Sequence, residues 1–226
     1  LGQLAAGVVH ELNNPLTSIS VYADYLLKKA PAQGTSDPDM EKLRRIVQSA
    51  DRILKFTRDL VTYARPSTER PVPLNVHDVM DQALSFCEHL IEETGATVEK
   101  KYDSTLPPVY GVKGQLVQVF VNLITNACHA MPLGAGRLTL ATGPGGDGRL
   151  SACVVDNGKG ITEDNLQRIF EPFFTTKGEG KGTGLGLSIV KNIVEQHRGT
   201  IGVQSEIGCG TTFEVVLACR PDPREA

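Results

Sequence analysis

LGQLAAGVVHELNNPLTSISVYADYLL, residues 1–27, decides how the rest of the chain is read. Leu1, Leu4, Val8, Leu12, Leu16, Ile19 and Leu26 recur at spacings of three and four, or their sum, which is the core stripe of an amphipathic helix. His10 lies two residues from both Val8 and Leu12, so at about 100° per residue it projects about 160° away from that stripe. Asn14, one turn on, shares the polar face, with Glu11 alongside and Pro15 next in line. A lone outward histidine is most simply a solvated side chain. A zinc pair of the HExxH kind is set aside, because Asn14 stands where the second imidazole would be. What remains is an accessible imidazole beside a carboxylate, suited to act as a nucleophile assisted by a base. Its worth depends on whether the chain also supplies an electrophile.

Beyond this helix, residues 31–39 (PAQGTSDPD) read as a loop, with Asp37 capping the next helix and Pro38 at its first position. Met40, Leu43, Val47, Ala50, Leu54, Thr57, Val61 and Ala64 then follow a strict three-four alternation, and Ile46, Ile53 and Leu60 add a second apolar column. One column can cover the first helix, and the wider face needs another partner. The expectation is an antiparallel hairpin that dimerises into a four-helix bundle. The segment PSTERPVP, with Pro66, Pro71 and Pro73, reads as an interdomain linker of limited flexibility.

From Leu74 the pattern is mixed. Helices are predicted over 76–93, 114–131 and 185–197, and strands over 97–102, 137–142, 150–156, 200–205 and 211–217. With no regular βαβ repeat, this is an α+β chain whose second part is a two-layer α/β sandwich. The helix over 114–131 inverts the usual pattern. Leu116, Val117, Val119, Phe120, Val121, Leu123, Ile124 and Ala127 make most of its circumference apolar, and Gln115, Gln118, Asn122, Asn126 and His129 form one polar line. A mostly buried helix with one such line faces either water or a polar ligand inside the protein. Amide oxygens suit Mg²⁺, which otherwise takes water and phosphate oxygens.

VVDNGKGI, residues 154–161, ends a strand at Asp156 and then removes side chains at Gly158 and Gly160, where a flat ligand could approach the backbone. A carboxylate there can accept from an exocyclic amine such as that of adenine, although Asp-Asn-Gly alone is simply a turn. IFEPFFTTKGEGKGTGLGLSIV, residues 169–190, says more. Phe170, Phe173 and Phe174 can anchor one end of a mobile segment, and five glycines from Gly178 to Gly186 free the other. Gly184 leads into a helix whose amino end can receive phosphate. Neither GxxxxGK[ST] nor GxGxxG can be drawn through these residues. The expected role is a nucleotide lid.

The 226 residues carry net charge -3, with 40% hydrophobic and 22% charged residues, the composition of an ordinary soluble globular protein. No basic run interleaves with aromatics, which disfavours nucleic acid, and no apolar run is long enough to span a membrane. The start inside a helical pattern suggests a fragment of a longer protein. Five cysteines without a CxxC pair are best explained as buried thiols in a reducing compartment.

Taken together, HELNNP (10–15), NLITNACHAM (122–131), VVDNGKGI, IFEPFF (169–174), GTGLGLSIV (182–190) and GCGTTFEVVL (208–217) resemble, in order, the phosphoacceptor, N, first glycine, F, second glycine and closing strand motifs of bacterial sensor histidine kinases. HELNNP and NACHAM look closest to the nitrogen-regulation class. The resemblance implies a helical dimerisation and histidine phosphotransfer domain over 1–66, a linker over 67–73, an ATP-binding domain of the fold shared with Hsp90, gyrase and MutL over 74–220, and a tail over 221–226. It implies a homodimer in the cytoplasm, within a protein that can be membrane-anchored, with a response regulator receiver domain as partner. By position, His10 would be phosphorylated, Glu11 would orient or deprotonate it, and Asn14 would position water for dephosphorylation of the partner. ATP would be held by Asn122, Asn126, His129, Asp156, Gly158, Gly160, Lys177, Gly182, Gly184, Leu185, Gly186 and Thr211, with Asn126 on Mg²⁺. His129 stands where many members carry a lysine, and Ala130 where some carry an aromatic. An ATPase of the same fold without phosphohistidine chemistry, or a degenerate dimeric binding module, are the rival readings.

Overall fold

The computed structural model describes residues 16–17, 19–28, 37–64, 69–177 and 183–219. The chain divides into two compact units, Leu1–Pro66 with Thr175–Leu185, and Ser67–Phe174 with Gly186–Ala226.

In the first unit, residues 19–28 form helix α1 and Asp37–Ala64 form the long helix α2. The alternating seam of α2 faces inward: Ala50, Leu54 and Thr57 are buried, and Met40, Leu43 and Val47 are half-buried. Ile46 and Ile53 of its second column do not, being 46% and 44% exposed. On α1, Ala23 is buried while Ile19, Val21, Tyr22, Tyr25 and Leu26 are exposed. A single hairpin has only one inner face, so the stripe residues Ile19 and Leu26 stay open to solvent in one copy of the chain.

The second unit is a five-stranded sheet, order β2-β4-β5-β7-β6, beneath a layer of three helices. Its strands are β2 (Thr97–Lys101), β4 (Arg137–Gly146), β5 (Arg149–Asp156), β6 (Thr200–Glu206) and β7 (Gly210–Ala218). Only β2 and β4 run parallel. The central helix α4 (Lys113–Ala130) packs between α3 (Val76–Thr94) and α6 (Gly186–Gln196) and rests on β5. Leu116, Phe120, Leu123 and Ile124 of α4, with Leu138, Leu140 and Leu150 of the sheet, have no solvent exposure, and this contact is the core. Asn75 caps α3 by accepting the His77 N–H at 2.9 Å, and Gly95, at φ 65°, ends it in the left-handed conformation.

Three short elements went unread. Val72–Leu74 (β1) pairs antiparallel with Val109–Gly111 (β3), and Glu163–Leu166 forms a single turn, α5. Pro73 argues against a strand, yet a two-stranded ladder leaves one side of each strand unpaired and tolerates it. The end of the stretch read as linker therefore belongs to a sheet. β4 also runs four residues beyond the expected 142, through GPGG, by way of a register shift between Pro144 and Gly146. The turn itself is Asp147–Gly148, both at positive φ.

Candidate functional site

Asp156 ends the central strand β5, opposite Leu138 of β4 and Thr211 of β7. It is 6% exposed. Its Oδ1 accepts the Gly158 N–H at 2.7 Å, and the carboxylate also takes the backbone N–H of Thr211. Burial pushes the carboxyl above its ordinary range, and the two N–H groups oppose that shift.

The glycines around Asp156 are required by space. A Cβ on Gly158 would lie 2.6 Å from Asp156 Oδ1 and 2.7 Å from the Ala130 carbonyl. One on Gly160, whose φ is 73°, would run into the Glu206 carbonyl. Lys159 between them donates its N–H to Ala130 O and accepts from Gly208 N–H, each at 3.0 Å, so this loop is pinned to both the end of α4 and the β6–β7 turn. Asn157 braces the other flank, accepting the Arg137 N–H at 2.7 Å and donating to Ala135 O at 3.0 Å.

Thr211, 5% exposed, sits across the β6–β7 register from Ser205 with their hydroxyl oxygens 2.9 Å apart. The polar line of α4 is half-buried at Gln115, Gln118, Asn122 and Asn126 and exposed at His129 in the last turn. Gly186 starts α6 against this line, since a Cβ there would be 3.5 Å from Asn122 Oδ1. The second unit thus brings together Asn122, Asn126, Asp156, Gly158, Gly160, Gly186 and Thr211. Lys177, Gly184 and Leu185 belong to the first unit, where Lys177 is half-buried, Gly184 has φ 68° and Leu185 is fully buried. His10, Glu11, Asn14 and Gly182 lie outside the described residues.

Chemically, the second unit sets a buried anionic acceptor, flanked by two glycines against which the backbone is closely packed, alongside a line of amides and the start of a helix. That combination suits a flat heterocycle bearing an exocyclic amine, followed by an anionic tail. Among the described residues no group of three or more His, Cys, Asp or Glu side chains could hold a metal. An ion here would have Asn126 as a protein ligand and would otherwise rely on water and phosphate oxygens, a donor set that fits Mg²⁺ and not zinc.

Two residues of structural weight were missed. His197 Nδ1 donates to Ile193 O at 2.7 Å while Nε2 accepts the Val112 N–H at 2.9 Å, tying the end of α6 to the start of α4. Ser205 bonds Ile161, Gly210 and Thr211. Only the hairpin register, which sets Ser205 opposite Thr211, could have signalled the second. Of the five free cysteines, Cys87, Cys128 and Cys219 are buried and Cys153 is half-buried, while Cys209 is exposed in the β6–β7 turn, contrary to the expectation for all five.

Two family models match the chain. The His Kinase A (phospho-acceptor) domain covers residues 1–69, and the histidine kinase-, DNA gyrase B-, and HSP90-like ATPase covers residues 111–221. The sensor kinase CckA of Brucella abortus is 41% identical over 96% of this chain and 24% of its own length. The sensor histidine kinase ZraS of Escherichia coli K12 is 36% identical over 99% of the chain and 47% of its own length. The chain therefore spans less than half of these curated relatives. Among solved structures, full-length ShkA in complex with AMPPNP superposes with a TM-score of 0.77 at 26% identity, over 96% of this chain and 46% of that one. The histidine kinase ThkA, in complex with the response regulator TrrA, has a TM-score of 0.69 over 99% of this chain and 63% of that one, and at 23% identity shows the fold alone.

Proposed function

The chain belongs to the histidine kinase family, and on that premise we propose that it is the catalytic core of a sensor kinase that binds Mg-ATP, phosphorylates His10 and passes the phosphoryl group to an aspartate of a response regulator. The observation that carries the nucleotide half is the buried Asp156 carboxylate at the end of β5, held by a loop packed too closely for a side chain at Gly158 or Gly160. Residues 1–66 act as dimerisation and phosphotransfer domain and 67–71 as linker, and the ATP-binding domain expected over 74–220 begins at Val72 with β1.

Asp156 and Thr211 take the adenine end, with Gly158 and Gly160 along the base. Asn122, Asn126, His129, Gly182, Gly184, Leu185, Gly186 and Lys177 serve the phosphates. Bound Mg²⁺ neutralises phosphate oxygen charge, and Asn126 is the residue that would hold it. The imidazole of His10 attacks the γ-phosphorus with a ring-nitrogen lone pair, the bond to the bridging oxygen breaks, and ADP leaves with the electron pair. Glu11 orients the ring and takes its proton. Pro71, just ahead of β1, stiffens the backbone of the linker. Asn14 positions water when the partner is dephosphorylated. A response regulator partner places this activity in the cytoplasm. Separately, no described helix is long and apolar enough to cross a membrane.

The test is binding of a non-hydrolysable ATP analogue with and without Mg²⁺, by wild type, Asp156→Asn and Asn126→Ala. Asp156→Asn should lose affinity irrespective of the metal, and Asn126→Ala should lose the Mg²⁺-dependent part. Unchanged affinity in both variants would overturn the site. Phosphatase activity is read separately: Asn14→Ala should abolish receiver dephosphorylation and spare autophosphorylation.

A further inference from the structure

Ser205 Oγ carries one hydrogen and two lone pairs, and three groups lie within bonding distance. The Ile161 N–H points into it at 2.9 Å, the Gly210 carbonyl oxygen is 2.9 Å away, and Thr211 Oγ1 is 2.9 Å away. A carbonyl can only accept, so Gly210 takes the one hydrogen Ser205 has. The Ile161 N–H fills one lone pair. The remaining lone pair can be filled only by the hydrogen of the Thr211 hydroxyl, which therefore points at Ser205.

That hydrogen is the only one Thr211 Oγ1 has, so the oxygen offers nothing but lone pairs elsewhere. Beside it, the Asp156 carboxylate is already receiving N–H groups from Gly158 and Thr211. We propose that Ser205 is a positioning residue that locks the Thr211 hydroxyl as an acceptor, so that the Asp156 end of the site presents acceptors only and selects a 6-amino purine over a 6-oxo purine. The inference rests on the reading of Asp156 as the base-binding group. An amino group has hydrogens for both acceptors. An oxo group meets lone pairs and leaves buried polar atoms unmatched, which is the strong direction of discrimination.

The test is the ratio of ADP to IDP dissociation constants, measured calorimetrically on the full chain in wild type, Ser205→Ala, Thr211→Val and the double variant. Wild type prefers ADP. In Ser205→Ala the freed hydroxyl can turn and donate to the 6-oxo group, so the preference falls about tenfold, the worth of one hydrogen bond. Thr211→Val lowers the preference by itself, and adding Ser205→Ala to it lowers it no further. Should Ser205→Ala not fold, Ser205→Cys, a weaker donor and acceptor, reads the same loss. A Ser205→Ala protein that weakens ADP and IDP equally has lost only structure and overturns the proposal. So does an equal loss of preference with and without the Thr211 hydroxyl. A wild type that binds both nucleotides alike overturns the adenine reading itself, and the role of Ser205 with it.

Discussion

Asp156 is held against its solvation preference, and the consequences are separable from its role toward ligand. Because the folded carboxyl titrates above its ordinary value, the protonated form favours the fold. That contribution is fully present below the unfolded carboxylate pKa and is lost as pH rises through the folded value. Wild type should therefore gain stability relative to Asp156→Asn as pH is lowered into the carboxylate range, read as the difference in urea midpoints at several pH values. At neutral pH the same substitution replaces an acceptor by an amide that can donate. Nucleotide affinity should fall about ten- to a hundredfold, the cost of a hydrogen bond to a charged group. Cys128, pushed up to about 11 mainly by burial, stays a thiol at neutral pH. The exposed Cys209 should be the first of the five to react with a thiol reagent, counted by mass after brief labelling of native protein.

At the scale of elements, α4 is the pivot of the second unit, and His197 fixes its start. Val112 precedes the helix without a side-chain cap, and the His197 ring supplies the acceptor instead. Because Val112 N–H can only donate, Nε2 must be unprotonated, and burial lowers the ring pKa further. A depressed histidine pKa gives stability that is present above the unfolded value, about 6.5, and is lost as pH falls towards the folded value. His197→Gln should lower stability by roughly 1 kcal/mol at pH 8 and less at pH 5.5. The same helix shows how far pattern alone could reach. Its inverted face was legible because a single polar line on an apolar helix is a strong signal, and the burial of Leu116, Phe120, Leu123 and Ile124 follows it. The five-stranded sheet was legible from apolar runs such as Leu150 to Val154. By contrast β1 and β3, three residues each, are too short to show any period, and β4 continues through a glycine-rich run that composition assigns to a turn. Asp156 and its glycines could be named from the chain. His197 could not, because its partner Val112 is 85 residues away, and Ser205 could be reached only through the β6–β7 register that sets it opposite Thr211.

For the whole molecule, the unpaired apolar column of α2 is the feature that calls for a second copy. Ile46 and Ile53 are one heptad apart and 46% and 44% exposed, so burying the remainder in a bundle would return roughly 1 kcal/mol for each side chain in each chain. Ile46→Glu with Ile53→Glu should convert a dimer to a monomer in light scattering, while ADP binding by the second unit persists. A wild type that is monomeric at micromolar concentration would remove the bundle from the account. The bundle and the nucleotide site have meaning together only if a phosphoryl group passes from one to the other. The direct measurement is incubation of wild type and His10→Gln with γ-labelled ATP and Mg²⁺. The account predicts label on wild type that is stable to base and released by acid, and none on His10→Gln. Acid-stable label, or label that survives the loss of His10, would contradict it.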